Sequence, residues 1–127
     1  MDATLQSKTA IEIGKLLHEH KGGKVVVMDM RTLNFWTDFF IIATVTSNTH
    51  LSGLERHIKE FSRERELEIL RFSRKPEKNA ESYNTDEWRI LELPGMVIHL
   101  MAAKTRSFFE LERLWNAAPL IYESEDE

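Results

Sequence analysis

The sequence predicts a single α/β domain in which a mixed β-sheet is flanked by helices. Segments with the amphipathic spacing of helices alternate with short runs rich in Val, Ile and Phe, which are typical of buried strands. The chain of 127 residues has the length of one domain and shows no internal repeat. Its 42% of hydrophobic residues is enough to build a core.

The predicted elements follow the order α-β-β-α-β-β-β-α. They are helices at 4–20, 48–66 and 105–117 and strands at 24–30, 39–45, 68–72, 87–93 and 96–102. Gly22-Gly23 ends the first helix, and Ser47 or Asn48 suits the N-cap of the second. We assign residues 1–122 to the domain and 123–127 to an acidic, disordered tail.

Two connections carry specific turn chemistry. Residues 73–85 are polar, contain Pro76 and lack an apolar period, so they predict a loop. Pro94-Gly95 lies between two strand-like runs and suits the middle of a type II turn, because proline presets φ and glycine accepts a positive φ. The two strands around this pair are therefore expected to form a hairpin.

The composition excludes several classes of protein. With no cysteine, the chain has no disulfide, cysteine-based zinc site, iron–sulfur cluster or thiol nucleophile. No apolar run approaches the roughly 20 residues that span a bilayer, so we expect no membrane partner. The first residues lack the basic and apolar regions of a secretion signal, and we expect a cytoplasmic protein.

The charge distribution favours a protein partner over naked nucleic acid. The chain has 17 Lys and Arg against 21 Asp and Glu, a formal charge of −4. Four of the acids lie within residues 123–127, so the remaining 17 acids balance the 17 bases. A protein that binds nucleic acid by neutralising phosphates needs a basic excess, which this domain lacks.

The signals for catalysis are weak, and we expect neither an enzyme nor a cofactor. None of the five histidines has the spacing of a metalloprotease motif, and no phosphate-binding loop occurs. His50 and His57 share a face of the second helix, and His99, inside an apolar strand, is expected as a hydrogen-bonded core or half-buried residue and not as a metal ligand. The alternative is a nucleotidyltransferase-like enzyme or nucleotide-binding protein, with Asp29 and Asp38 as its acids and Ser47 contacting phosphate. Against it, Arg31 would oppose a cation at Asp29, and an N-cap role explains Ser47.

Apolar residues near turns point instead to an interaction surface. Trp88 follows the acids Asp86 and Glu87, and Leu93-Pro94-Gly95-Met96 is an apolar hairpin tip that we expect to be exposed. Phe108 and Phe109 are adjacent on the last helix, so both cannot face inward fully. Exposed aromatic and aliphatic clusters of this kind mark binding sites.

Four motifs, in order along nearly the whole chain, resemble the ribosomal silencing factor family (RsfS, also called Iojap). The first is a strand and Thr-Asp-Phe-Phe-Ile-Ile segment, the second a turn into a helix, the third a Trp-bearing hairpin ending in Val-Ile-His, and the fourth a closing helix. They occupy residues 27–44, 46–50, 87–100 and 106–115. Two departures occur: Val45 stands where the family usually has Gly, and Leu93-Pro94-Gly95-Met96 lacks the acid common in that hairpin.

The resemblance implies a fold similar to that of nucleotidyltransferases without their activity. It also implies binding to the large ribosomal subunit through ribosomal protein L-fourteen, with ribosomal RNA only peripheral. Docking there would block the small subunit from joining and repress translation under nutrient limitation. We expect a monomer or weak homodimer, and a partner-facing surface with Trp88 as its aromatic anchor. The predicted surface residues are Trp88, Leu93, Pro94, Met96 and Arg106.

Overall fold

The computed structural model describes residues 3–33, 37–73, 88–109, 113 and 117–124. The helices are α1 (Ala3–Glu19), α2 (Asn48–Glu64) and α3 (Ala103–Phe109), with a short 3-10 helix at Arg31–Leu33. The strands are β1 (Gly23–Asp29), β2 (Phe39–Val45), β3 (Arg71–Ser73), β4 (Trp88–Leu93), β5 (Met96–Ala102) and β6 (Leu120–Glu123). The loop predicted at 73–85 lies outside the described residues, except for Ser73, which belongs to β3.

All six strands form one mixed sheet in the order β3-β4-β5-β2-β1-β6. The central pair, β2 and β5, is parallel, and the other neighbours are antiparallel. This arrangement confirms the predicted single α/β domain with a mixed sheet. Within the described ranges, no helix is long and apolar enough to cross a membrane.

The strand β6 is absent from the predicted order. It pairs antiparallel with β1, and the Ser124 hydroxyl accepts a 2.9 Å hydrogen bond from the Val25 N–H. Glu123 is therefore part of the sheet, and its assignment to a disordered tail is wrong, whereas residues 125–127 lie outside the described residues. The strand is short and Leu120 is half exposed, so its sequence lacks the buried apolar run of a recognisable strand.

The two faces of the sheet carry separate apolar clusters, because successive side chains on a strand point to opposite faces. The first face packs against α1 and α2 through Ile13 and Leu17 of α1 and Leu51, Leu54 and Ile58 of α2. The second face is formed by Val26, Met28, Phe40, Ile42, Val97 and Met101, with Trp88 and Ile90 packed against it. Functional side chains can thus be assigned to a face from their position along each strand.

The predicted N-cap of α2 and the predicted end of α1 are both confirmed, although a different residue takes the left-handed conformation at the end of α1. The Ser47 hydroxyl accepts a 3.0 Å hydrogen bond from the His50 N–H, so Ser47 is the N-cap of α2. At the end of α1, the N–H groups of Lys21 and Gly22 donate to the carbonyls of His18 and Leu17, the pattern of a Schellman motif. The left-handed residue is Lys21, with φ 75°, and not one of the two glycines.

The helix α3 begins two residues before its predicted start, at Ala103, and is described to Phe109. Most of the predicted remainder lies outside the described residues, and Ala117 lies in a turn instead of the helix. The β3 strand is also shorter than predicted, at three residues. These differences fall at element ends, where sequence patterns are least informative.

Candidate protein-binding site

The strand register separates the five predicted surface residues into two groups. One row across the sheet, here called the Trp88 end, runs through Trp88, Met101, Thr44 and Gly23. The opposite row, here called the turn end, runs through Leu93, Met96, Phe39 and Asp29. Five residue steps along β4 separate the two rows by about 17 Å. The predicted residues therefore do not form one contiguous patch.

At the turn end, the β4–β5 turn is docked against the rest of the domain. Gly95 has φ +78°, as the predicted type II turn requires of its glycine. Its carbonyl accepts hydrogen bonds from the N–H groups of Asp38 at 3.2 Å and Phe39 at 3.0 Å. A Cβ at residue 95 would collide with the side-chain amide of Gln6 in α1. The turn thus packs against Gln6 of α1, and its two central residues, Pro94 and Gly95, are half-buried.

The burial of this turn changes the interpretation of its apolar residues. Leu93 and Met96 each expose only 1% of their surface, and Pro94 is half-buried. The expectation that the hairpin tip is exposed is wrong for Leu93 and Met96. Both side chains belong to the core of the first face, which also includes residues of α1 and α2.

At the Trp88 end, the indole of Trp88 is half-buried on the second face of the sheet. Its Nε1–H group donates a 3.1 Å hydrogen bond to Nδ1 of His99 on the neighbouring strand. His99 is 6% exposed, and its ring lies 4.9 Å from the Phe40 ring, centroid to centroid. Burial lowers the pKa of His99 to about 4, so the imidazole is neutral near pH 7. The predicted hydrogen-bonded, buried histidine is confirmed.

Arg106 also belongs to the Trp88 end, but its guanidinium is not on the surface. It is 7% exposed, and Nη1 donates to the Thr44 hydroxyl at 2.9 Å and to the Gly23 carbonyl at 3.3 Å. These bonds fix α3 to the ends of β2 and β1. On the same helix Phe108 is 79% exposed, in agreement with the prediction that Phe108 and Phe109 cannot both be buried.

A buried ion pair supports the same end from the first face. Nη1 of Arg89, the residue after Trp88, lies 2.7 Å from Oε2 of Glu55 in α2. Each side chain is only 11% exposed, so the two charges compensate each other away from water. The sequence offered no signal for this pair, because Arg89 and Glu55 are far apart in the chain.

The residues of the nucleotidyltransferase-like alternative do not converge. Asp29 and Asp38 lie at one end of β2, where the Met30 N–H donates to the Asp38 carbonyl, whereas Ser47 follows the other end. Both carboxylate oxygens of Asp29 bond to Arg31, and these bonds lower the pKa of Asp29. Across the ranges that the structure covers, no three His, Asp or Glu side chains are arranged to hold a metal ion.

The histidines that the sequence placed on one face of α2 make different contacts. His57 stacks on His20 of the α1 terminus, with ring centroids 3.6 Å apart. Burial and the neighbouring His20 lower the pKa of His57. His50 instead accepts the Thr46 N–H at Nδ1 and contacts the His20 carbonyl through Nε2, at 3.1 Å. The cluster joins α1 to α2.

A family model and several similar proteins all point to the same family. A family described as "Ribosomal silencing factor during starvation" matches residues 3–127. The chain is 26% identical over 103 residues to ribosomal silencing factor RsfS of Halalkalibacterium halodurans, covering 81% of each protein. It is 24% identical to RsfS of Bacillus subtilis, covering 91% of this chain and 92% of that protein.

A longer relative and two solved structures extend the comparison. The mouse protein "Mitochondrial assembly of ribosomal large subunit protein 1" is 29% identical over 90% of this chain, which spans about half (52%) of its length. A crystal structure from Chromobacterium violaceum is 26% identical, with a TM-score of 0.70 over 91% of this chain and 88% of that one. A crystal structure from Bacillus halodurans is 22% identical, with a TM-score of 0.67 over 94% of this chain and 98% of that one, and it supports the fold.

Proposed function

The chain belongs to the ribosomal silencing factor (RsfS) family, and we propose that it binds the large ribosomal subunit through ribosomal protein L-fourteen. Bound there, it keeps the small subunit from joining and represses translation when nutrients are limiting. The bacterial relatives carry the name of silencing factors, and the mouse relative is named for assembly of the large subunit. Both names support a ribosomal partner.

The main support for the proposal is the indole of Trp88, which is hydrogen-bonded to His99 and only half-buried. Tryptophan is enriched among the residues that dominate binding energy at protein interfaces. The His99 hydrogen bond fixes one edge of this indole, and α3 with its exposed Phe108 is anchored at the same end of the sheet. Trp88 is therefore proposed as the anchor of the contact with the ribosomal protein.

The other four predicted residues are proposed in two different roles. Half-buried Pro94 contributes a contact of its own at the turn end. Leu93, Met96 and Arg106 are buried, so they act from beneath the surface by holding β4, β5 and α3 in place. Substituting them would alter binding mainly through the fold.

The proposed mechanism is steric and involves no catalysis. With 17 basic against 21 acidic residues the chain has no basic excess, so ribosomal RNA is a peripheral neighbour and a protein surface is the main partner. We propose a cytoplasmic protein that acts as a monomer or weak homodimer. It makes and breaks no bond, and its bulk on the large subunit excludes the small one.

Sedimentation with purified ribosomal subunits tests the proposal directly. The protein should sediment with large and not with small subunits, and saturating protein should slow the joining of the two. If the subunits join at full speed with the protein bound, the steric mechanism is wrong.

The variant Trp88→Ala tests the anchor. Truncating an anchor aromatic costs about 2 kcal/mol or more, so affinity for the large subunit should fall about thirtyfold. Leu70→Ala is the matched control, because Leu70 is 52% exposed next to the edge strand β3, and it should bind like the unaltered protein. Circular dichroism checks that both variants fold. A folded Trp88→Ala protein with unchanged affinity would remove Trp88 from the interface.

A further inference from the structure

The strand register of β4 and β5 places His99 next to Trp88 on the second face of the sheet. Trp88 lies opposite Met101, and Ile90 lies opposite His99, so Trp88 and His99 are diagonal neighbours on one face. Diagonal pairs are within reach of each other when a side chain is aromatic. The 3.1 Å bond from Nε1 of Trp88 to Nδ1 of His99 is the product of this placement.

The chemistry of the two groups fixes the state of the imidazole. An indole N–H can only donate, so Nδ1 of His99 must accept and carries no proton. A neutral imidazole then has its proton on Nε2. That atom is buried and has no hydrogen-bond partner in the part of the chain that the structure describes. Burial also keeps the ring uncharged, because it lowers the pKa of His99 to about 4.

The unpartnered Nε2–H indicates that His99 contributes through its other ring nitrogen, Nδ1. A buried donor without a partner is unfavourable, and an apolar residue at position 99 would avoid that cost. The compensating feature in this structure is the acceptor at Nδ1. The Phe40 ring, 4.9 Å away, and burial among the strands hold that acceptor in one position.

We propose that His99 is a positioning residue for Trp88, holding the indole in the orientation in which it meets the ribosomal protein. This inference rests on the proposed function, since it gives a role to the bond beside the proposed anchor. An indole that is already oriented loses less conformational freedom on binding than a free one. Loss of the acceptor should therefore weaken binding even though His99 itself stays buried.

Two variants separate the acceptor from simple core packing. His99→Asn keeps a side-chain acceptor close to the position of Nδ1, whereas His99→Phe keeps an aromatic ring and removes the acceptor. We expect His99→Phe to weaken binding to the large subunit roughly threefold to tenfold, the loss for one immobilised side chain. His99→Asn should stay within about twofold of the unaltered protein. Equal losses in two folded variants would overturn the proposal.

Nuclear magnetic resonance of the unaltered protein gives a readout that packing alone would not move. The nitrogen shifts of His99 should report a proton on Nε2 only, and the indole N–H of Trp88 should exchange slowly with solvent. That indole signal is assigned by its loss in Trp88→Phe. Slow exchange should persist in His99→Asn and disappear in His99→Phe. A proton on Nδ1 in the unaltered protein would overturn the proposal even if neither variant folds.

A double-substitution cycle separates failure of this inference from failure of the proposed function. In a Trp88→Phe background there is no indole N–H, so His99→Phe should cause no further loss of binding. A further loss of threefold or more in that background would show that His99 acts by another route. If Trp88→Ala itself binds normally, the proposed anchor fails instead, whatever the state of the hydrogen bond.

Discussion

The two ends of the sheet are held by different kinds of interaction. At the Trp88 end the contacts are directional: an indole–imidazole bond, an arginine bonded to a hydroxyl and a carbonyl, and a buried ion pair. At the turn end, Leu93 and Met96 fill volume in the core, and the turn carbonyl accepts two backbone hydrogen bonds. Directional contacts depend on the chemical identity of each group, whereas apolar packing depends mainly on shape and size. Substitutions at the two ends should therefore destabilise the fold for different reasons.

The largest expected effect is at the Trp88 end, in Arg89→Met. This change leaves the carboxylate of Glu55 buried without its partner, which costs about 3–5 kcal/mol of unfolding free energy. Urea denaturation measures the loss. The double variant Arg89→Met with Glu55→Leu should recover most of it, because an apolar pair of similar volume replaces both charges. A loss below about 1 kcal/mol in the single variant would show that the ion pair is not what holds this end.

Leu93→Ala should have the next largest effect, at the turn end. Removing a fully buried leucine side chain costs about 3 kcal/mol through lost burial and the cavity left behind. Leu120→Ala is the control, because Leu120 is 48% exposed and should change stability by less than about 1 kcal/mol. The indole signal of Trp88 should stay unchanged in Leu93→Ala. A shifted indole signal would show that the two ends of the sheet are coupled.

The smallest of these effects is the pH dependence that His99 contributes at the Trp88 end. Because burial lowers the pKa of His99 from 6.5 to about 4, the folded protein binds this proton less readily than the unfolded chain. The contribution of His99 to stability is therefore present above pH 6.5 and is lost as the pH falls toward 4. Between pH 7 and pH 5 the loss should be about 2 kcal/mol, measured by urea denaturation.

His99→Asn provides the control for this pH dependence, since asparagine does not titrate. The variant should lose most of the slope between pH 7 and pH 5. A smaller slope of the same sign should remain from His57, whose pKa is also lowered by burial. A slope as steep in His99→Asn as in the unaltered protein would assign the effect to other groups.

Local sequence signals predicted local structure well. Ser47 was predicted as an N-cap candidate and caps α2, and the predicted turn at Pro94-Gly95 has its glycine at positive φ. Both depend on the chemistry of a few consecutive residues. The strand β2 was predicted with its observed bounds, because its apolar run is long enough to be recognised.

What the sequence did not reveal depends on contacts between distant segments. Leu93 and Met96 were expected at an exposed tip, and they are buried because they join a core cluster whose other members, such as Ile13 of α1 and Leu51 of α2, come from distant parts of the chain. The histidine at 99 was expected to be buried and hydrogen-bonded, but its partner, Trp88, is set by strand register. The separation of the predicted surface residues into two ends has the same origin. Register and layering decide which residues share a surface.

The position of β6 at the edge of the sheet has a consequence during synthesis. β1 is made near the start of the chain, yet one of its two sheet neighbours consists of residues 120–123. While the nascent chain is still growing, that side of β1 presents unpaired N–H and C=O groups, the kind of open edge that recruits strands from other molecules. This edge of β1 therefore stays open until residues 120–123 have been synthesised and have paired with it.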